Sequence, residues 1–139
     1  MLRPLSADEL LALDEGLAFA MRISQASQRP LSVQQVQSLY DSFLEEEIDA
    51  PDALIALGLA FGETIVEESN FEWVRAEDEY GEETCLSPPG KNIHCAPISM
   101  IQKRLRRKEA VSIEQLRDET IKVIRAKLDN NEIQDRKAN

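Results

Sequence analysis

The sequence has few of the side chains that most often perform catalysis or bind metals. Among 139 residues it contains one histidine, His94, one tryptophan, Trp73, and two cysteines, Cys85 and Cys95. A structural zinc site uses four ligands, whereas the sequence offers neither a Cys-x-x-Cys pair nor a second histidine. We therefore predict no catalytic residue, no metal ligand and no cofactor.

The two cysteines allow one simple interpretation and three alternatives. A turn near Gly90 would place Cys85 roughly opposite Cys95 on neighbouring strands, and we favour two small buried thiols. The alternatives are a metal site that includes His94, a cross-strand disulfide in an oxidising compartment, and a cysteine nucleophile with His94 as its base.

Long apolar runs are also missing. The longest run, residues 53–62, is well short of the roughly 20 residues that span a bilayer. The first six residues are too short for a signal peptide, and acidic residues follow them at positions 8, 9, 14 and 15. We expect a cytoplasmic protein that does not bind membranes and whose cysteines are reduced.

Charge is abundant and unevenly distributed. The net charge is −10: residues 1–70 hold 3 Lys or Arg against 13 Asp or Glu, whereas residues 97–139 hold 11 against 7. An acidic protein repels polyanions, so nucleic acid is not expected as the main ligand. The acidic first half and the basic C-terminal part indicate either ion pairing within the chain or a basic partner that contacts the acidic part.

Three helix starts carry the same local signal. A serine can cap the helix, and a Glu or Gln three residues later can bond back to the serine backbone. Arg29-Pro30 ends the first of these helices, and the second follows as far as the acidic residues 45–47. The capping serines and their partners three residues later are Ser6 with Glu9, Ser32 with Gln35 and Ser112 with Gln115.

A helix that starts near Pro51 is apolar on several sides, which is typical of a central helix. Gly58 and Gly62 lie one turn apart in it and cost about 1 kcal/mol each against alanine. Close approach of another element would compensate for this cost. Pro97 suits the first turn of a fourth helix that runs to Glu109.

Over residues 71–96 the side-chain pattern changes from a helical period to a period of two, which is typical of strands. We predict strands at 71–76, 82–87 and 92–96, which form a three-stranded antiparallel meander. With 42% hydrophobic residues, the chain can form one α+β domain over residues 1–128, in the order ααα-βββ-αα. Its parts are an N-terminal helical pair, 1–50, and a core, 51–128. Residues 129–139 are predicted to be a polar, frayed tail.

Glycine, tryptophan and proline residues mark several short motifs in the second half of the chain. These motifs are Leu57-Gly58, 61–63 (Phe-Gly-Glu), Trp73, 78–81 (Asp-Glu-Tyr-Gly) and 96–104 (Ala-Pro-Ile-Ser-Met-Ile-Gln-Lys-Arg). With them, roughly residues 53–127 resemble the bacterial domain-of-unknown-function family 3806. The resemblance implies a helix, meander and helix order and a bacterial source, and it implies no activity, cofactor or catalytic residue.

Acidic residues surround the predicted hairpin turn. A tyrosine among carboxylates provides a partly apolar contact inside a negative field, which suits docking of a basic partner. The spacing does not match a calcium-binding loop, and a solvated turn is the alternative. The candidate partner-binding residues are Glu77, Asp78, Glu79, Tyr80, Glu82 and Glu83.

The basic stretch 103–108 is expected to pair with the acidic half or to be solvated, rather than to bind nucleic acid.

The leading hypothesis is a non-enzymatic domain that binds another protein through its acidic surface. A bacterial immunity protein or antitoxin that neutralises a basic toxin is one concrete form. The rival hypothesis is a small enzyme or ligand-binding domain whose pocket lies between the glycine face of the central helix and the meander, lined by Trp73 and His94. The identity of the partner and the oligomeric state are left open.

Overall fold

The computed structural model describes residues 1–138, and the side chains of residues 1–131. The helices are α1 (Ala7–Ser24), α2 (Val33–Glu46), α3 (Pro51–Glu68), α4 (Pro97–Arg106) and α5 (Ile113–Ala138). The strands are β1 (Leu2–Pro4), β2 (Glu72–Asp78) and β3 (Gly81–Ser87), and they form an antiparallel sheet in the order β1-β2-β3. The α+β fold class with five helices and a three-stranded antiparallel sheet is confirmed.

The predicted caps form at the predicted serines. The Glu9 backbone N–H donates to Ser6 Oγ at 3.2 Å, and the Glu9 carboxylate accepts from the Ser6 backbone N–H at 2.8 Å. Ser32 and Gln35 make the same two bonds at the start of α2. These contacts join residues three positions apart, so they depend on little beyond the local sequence.

The third strand of the sheet differs from the prediction. The segment 92–96 makes only one bridge to β3, between Leu86 and Cys95, before Pro97 begins α4. Proline has no backbone N–H for a further ladder bond, so the segment turns into the helix instead of extending the sheet. The third strand is β1, which pairs with the other side of β2 in the register Leu2↔Ala76.

Helix α3 is central, and it contacts each of the other four helices. Its two glycines face other elements closely. A Cβ on Gly58 would lie 2.6 Å from the Cα of Ile98 in α4, and one on Gly62 would lie 2.3 Å from the Trp73 ring. The close approach predicted for this helix is therefore present, and it compensates for the low helix propensity of glycine.

The predicted tail is part of α5, which continues to Ala138. Asn139 lies outside the described residues. The domain limits of 1–128 and the fraying of the tail stay predictions.

Candidate functional site

The β2–β3 hairpin carries the predicted partner-binding residues. Asp78 pairs with Gly81, so Glu79 and Tyr80 form a two-residue loop, and the left-handed φ of 141° at Gly81 suits glycine. The Asp78 carboxylate accepts a hydrogen bond from the Tyr80 backbone N–H at 2.8 Å. A local aspartate bond of this kind stabilises a tight turn.

Two arginines bind Glu77 and Glu82, which pair with each other one position before the residues that close the hairpin turn. Arg3 in β1 donates to both carboxylate oxygens of Glu9, at 2.7 and 2.9 Å, and to Glu77 at 2.5 Å. Arg75 in β2 lies 3.3 Å from the Glu9 carboxylate and 3.6 Å from that of Glu82. We call these five residues the arginine clamp. It occupies two carboxylates, Glu77 and Glu82, that were predicted to contact a partner.

The arginine clamp changes the acidity of its carboxyl groups. The Arg3 guanidinium lowers the pKa of Glu9 to about 2 and also lowers the pKa of Glu77. A carboxyl group with a lowered pKa in the folded state stabilises the fold above its unfolded pKa, and this contribution is lost as the pH falls through the folded value. For Glu9 this window runs from about 4.5 down to about 2.

We expect Arg3→Met to remove much of the acid-dependent loss of stability in this window. Urea unfolding at several pH values between 6 and 2 measures the effect, with the largest difference from wild type above about pH 4.5. Lys103→Met is the control, since Lys103 makes no ion pair with the described residues. Parallel pH curves for wild type and Arg3→Met would show that the arginine clamp does not act in this way.

The tip of the hairpin has no such partners. Asp78 and Glu79 form no ion pair with the described residues, and Tyr80 is 89% exposed. We call these three residues the hairpin tip. Glu83, at the other end of the predicted set, accepts a hydrogen bond from the Ser99 hydroxyl. The structure thus brings all six predicted residues onto one hairpin, and the three at its end make no ion pair with the described residues.

The cavity beside Trp73 is not lined by the other residue of the rival pocket, His94. The Trp73 ring packs on Gly62, so it fills the space expected to be open between α3 and the sheet. A cavity of about 410 Å³ borders Trp73 on β1, β2 and the loop after β3, and exposed His94 does not line it. Its other lining residues are Leu2, Arg3, Pro4, Glu72, Val74, Ser87, Pro88, Gly90, Lys91 and Asn92.

The two cysteine thiols differ in exposure: Cys85 is buried and Cys95 is partly exposed. Cys85 is 1% exposed, and both cysteines are free. Burial raises the pKa of Cys85 to about 12 and that of Cys95 to about 11. Because the thiolate is the reactive form, neither sulfur is activated as a nucleophile. Within the described residues, no three His, Cys, Asp or Glu side chains converge as metal ligands do.

A groove that sequence analysis missed lies where α2, α3 and α4 meet. It encloses about 540 Å³, and we call it the corner groove. Its floor is apolar, and its rim carries charges of both signs. The floor residues are Phe43, Leu44, Ile48, Leu54 and Leu105. The rim residues are Glu47, Asp49, Pro51, Gln102, Arg106 and Lys108.

The end of α2 shapes this groove. Glu47 adopts a left-handed φ of 53°, and the next residue, Ile48, donates its backbone N–H to the Phe43 carbonyl at 3.0 Å. A helix end of this type often brings two apolar side chains five positions apart into contact. The Phe43 and Ile48 spacing is therefore the sequence signal that could have indicated one wall. The second wall, from α4, depends on tertiary packing.

The basic stretch contributes to this second wall. Lys108 makes an ion pair with Glu47 at 3.0 Å across the rim, which agrees with the expected pairing to the acidic half. Lys103 and Arg106 form no ion pair with the described residues.

No helix of the described residues has the length and apolarity needed to cross a membrane. A crystal structure of a protein from Bacteroides thetaiotaomicron VPI-5482, at 1.50 Å resolution, has a similar fold. The TM-score is 0.69 with 18% identity, and the match covers 87% of this chain and 47% of that one. The chain thus spans about half the length of that protein, and the likeness concerns the fold. No curated protein matches the chain.

A family model described as "Domain of unknown function (DUF3806)" matches residues 32–116. This range includes both glycines of α3, the hairpin and the whole of α4, so it contains the close contacts of Gly58 with Ile98 and of Gly62 with Trp73. The chain belongs to this family.

Proposed function

We propose that the chain is a non-enzymatic protein-interaction domain that binds a basic partner protein through its acidic surface, with the hairpin tip as the contact. The observation that supports this proposal best is the 89% exposure of Tyr80, which follows Asp78 and Glu79, two carboxylates that have no ion-pair partner among the described residues. Tyrosine is enriched among the residues that dominate binding energy at protein interfaces.

The rest of the hairpin supports the same function. The arginine clamp contacts β2 and β3 one residue pair from the turn, so the tip is presented on a stem that does not need to be ordered on binding. Pre-organisation of this kind reduces the entropic cost of association. The carboxylates of Asp78 and Glu79 make no ion pair with the described residues, and together with the chain net charge of −10 they attract a basic surface during encounter.

An immunity protein or antitoxin against a basic toxin is one form of this function, and the acidity of the chain is its support. The rival enzyme or ligand pocket has less support, because the Trp73 ring occupies the expected space and His94 lies outside the neighbouring cavity.

Substitution of the tip tests the proposal. The wild-type chain and Glu79→Lys are used as baits in a lysate of the source organism, at about 50 mM and about 500 mM salt. We expect wild type to retain a basic protein at low salt and lose most of it at high salt, because charge attraction is screened. Glu79→Lys should retain at least about tenfold less of the same protein.

The control bait is Glu67→Lys, which makes the same charge change at an exposed position on α3. Equal recovery by the two variants would show that overall charge, rather than the hairpin tip, governs binding. Recovery of no basic protein by the wild-type bait would contradict the proposed function.

A further inference from the structure

Strand β1 is the shortest strand of the sheet, and none of its three residues is buried. It pairs with three of the seven residues of β2, whereas β3 pairs with all seven. The matched family range begins at residue 32, so it includes β2 and β3 but not β1. The edge of β2 that faces away from β3 is therefore completed by a short segment from outside this range.

The register of β1 brings two positive charges together. Arg3 lies directly opposite Arg75, and like charges at directly opposite positions destabilise a pair of strands. Ion pairs with Glu9 and Glu77 hold Arg3 in this position. The Arg3 side chain is 32% exposed, so water weakens these ion pairs. The attachment of β1 thus depends mainly on one partly exposed side chain and a few ladder bonds.

Arg3 also covers carboxylates that the sequence predicted as partner contacts. It donates to Glu77 at 2.5 Å and lies 3.9 Å from the Glu82 carboxylate. Both glutamates belong to the predicted partner-binding set, and both lie one residue pair from the hairpin turn. The first strand of the chain thus shows which ligand this surface takes: an arginine carried on an extended segment that pairs with β2.

We propose that β1 is a displaceable strand, and that an extended, arginine-containing segment of the basic partner protein replaces it on β2. The incoming backbone takes over the ladder bonds to Arg75 and Glu77, and its arginine pairs with the carboxylates of Glu77 and Glu82. The inference rests on the proposed function, since it assumes a basic partner, and it names the part of this partner that lies beside the hairpin tip.

Tethering allows the partner segment to compete with β1. Strand β1 is attached to its site through the chain, which gives it a high effective concentration there. A partner bound at the hairpin tip is also tethered, since the site begins one residue pair away. The β2–β3 pairs and the contact of Arg75 with Glu82 lie within the hairpin, so the stem keeps its order when β1 leaves. A segment longer than β1 also pairs with more of β2.

Hydrogen exchange of the wild-type chain tests whether β1 opens by itself. The Glu77 backbone N–H donates to the Met1 carbonyl at 2.8 Å. Bonding sides alternate along a strand, so the Arg75 N–H also faces β1, and the Val74 and Ala76 N–H groups face β3. After correction for intrinsic rates, we expect the two amides that face β1 to exchange at least about tenfold faster than the two that face β3. Equal exchange of all four would show that β1 opens only with the whole sheet, which would overturn the inference.

A synthetic peptide with the sequence of residues 1–6, labelled with a fluorophore at its C-terminus, is the probe for replacement. Wild type holds its own β1 in the site. The protein variant Arg3→Glu places a carboxylate beside Glu9, Glu77 and Glu82, so its own strand is repelled. We expect this variant to bind the probe at least about tenfold more tightly than wild type in anisotropy titrations. A control peptide that carries Arg3→Glu should bind neither protein.

The matched control protein is Lys103→Glu, which makes the same charge change at an exposed residue that forms no ion pair with the described residues. It should bind the probe like wild type, because added acidity alone does not open the site. Circular dichroism verifies that Arg3→Glu folds. If it does not, Arg3→Met takes its place, since methionine removes the arginine without adding a charge. Equal affinity of the Arg3 variant and Lys103→Glu for the probe, or no binding by either, would overturn the inference.

The lysate experiment separates this inference from the proposed function. Arg3→Met as bait should retain at least about threefold more of the basic protein than wild type, because the internal competitor is weakened. If Glu79→Lys loses the protein and Arg3→Met does not gain it, the hairpin tip is supported and the replacement of β1 is rejected. If wild type retains no basic protein while the probe binds the Arg3→Glu variant alone, the proposed function is rejected and β1 is displaceable.

Discussion

Replacing Gly58 by alanine is expected to lower the free energy of unfolding by about 2 kcal/mol. The new Cβ would lie 2.6 Å from the Cα of Ile98 and within 3.1 Å of two of its side-chain atoms. Ile98 Cα is backbone in the second residue of α4, so relief requires the whole helix to move away from α3. Overpacking costs up to about 3 kcal/mol, and the better helix propensity of alanine returns about 1 kcal/mol.

Gly16 provides the matched control for this substitution. A Cβ there would approach the Leu59 Cδ1 methyl at 2.4 Å, and the next atom of Leu59 is 3.8 Å away. A terminal methyl group can rotate aside, so Gly16→Ala should be neutral or should stabilise the protein by up to about 1 kcal/mol. Urea unfolding of both variants, followed by circular dichroism and Trp73 fluorescence, measures the difference. Equal stability of the two variants would show that α3 and α4 are not packed at the distance described.

The features that the sequence predicted correctly are local ones. The Ser6 and Ser32 caps involve residues three positions apart. The apolar residues on several sides of α3 can be recognised within one stretch of sequence. The two glycines of α3 indicated that another element lies close, although not which one. Gly58 meets α4 and Gly62 meets Trp73 of β2.

The features that the sequence did not predict depend on contacts between distant residues. Strand β1 has three residues, too few for a period of two to appear, and it pairs with β2 more than 70 positions away. The position of Arg3 beside β2 therefore could not be predicted, and neither could the arginine clamp. In the structure, this clamp pairs Glu77 and Glu82, two residues of the predicted acidic surface, with arginine. The corner groove was missed for the same reason, since Leu105 and Lys108 join its walls only through the packing of α4 on α3.

Hydrogen bonds between residues far apart in the sequence also fix the connection between α4 and α5. The Gln37 side chain in α2 donates from Nε2 to the Val111 carbonyl at 2.9 Å and accepts at Oε1 from the Ile113 backbone N–H at 2.8 Å. Tyr40, one turn later, donates its hydroxyl hydrogen to the Glu109 carbonyl at 2.6 Å. These three bonds hold the segment that begins at Lys108, so they also position one side of the corner groove.

Gln37→Met should lower the free energy of unfolding by about 2 kcal/mol. Methionine preserves the length of the side chain and makes neither bond, so the Val111 carbonyl and the Ile113 N–H both lose their partner. The Ile113 N–H belongs to the first residue of α5, where the helix itself supplies no acceptor, and the Ile113 side chain is fully buried. Each unsatisfied buried group costs about 1–3 kcal/mol, and partial exposure of this site favours the lower end.

Gln34→Met is the control, because Gln34 is exposed on the same helix and its side chain makes no hydrogen bond with the described residues. Urea unfolding should distinguish the two variants, and hydrogen exchange should show faster exchange of the Ile113 amide in Gln37→Met alone. If both variants are equally stable and the Ile113 amide stays protected, α5 is held in place by its apolar contacts, and Gln37 contributes nothing to the groove.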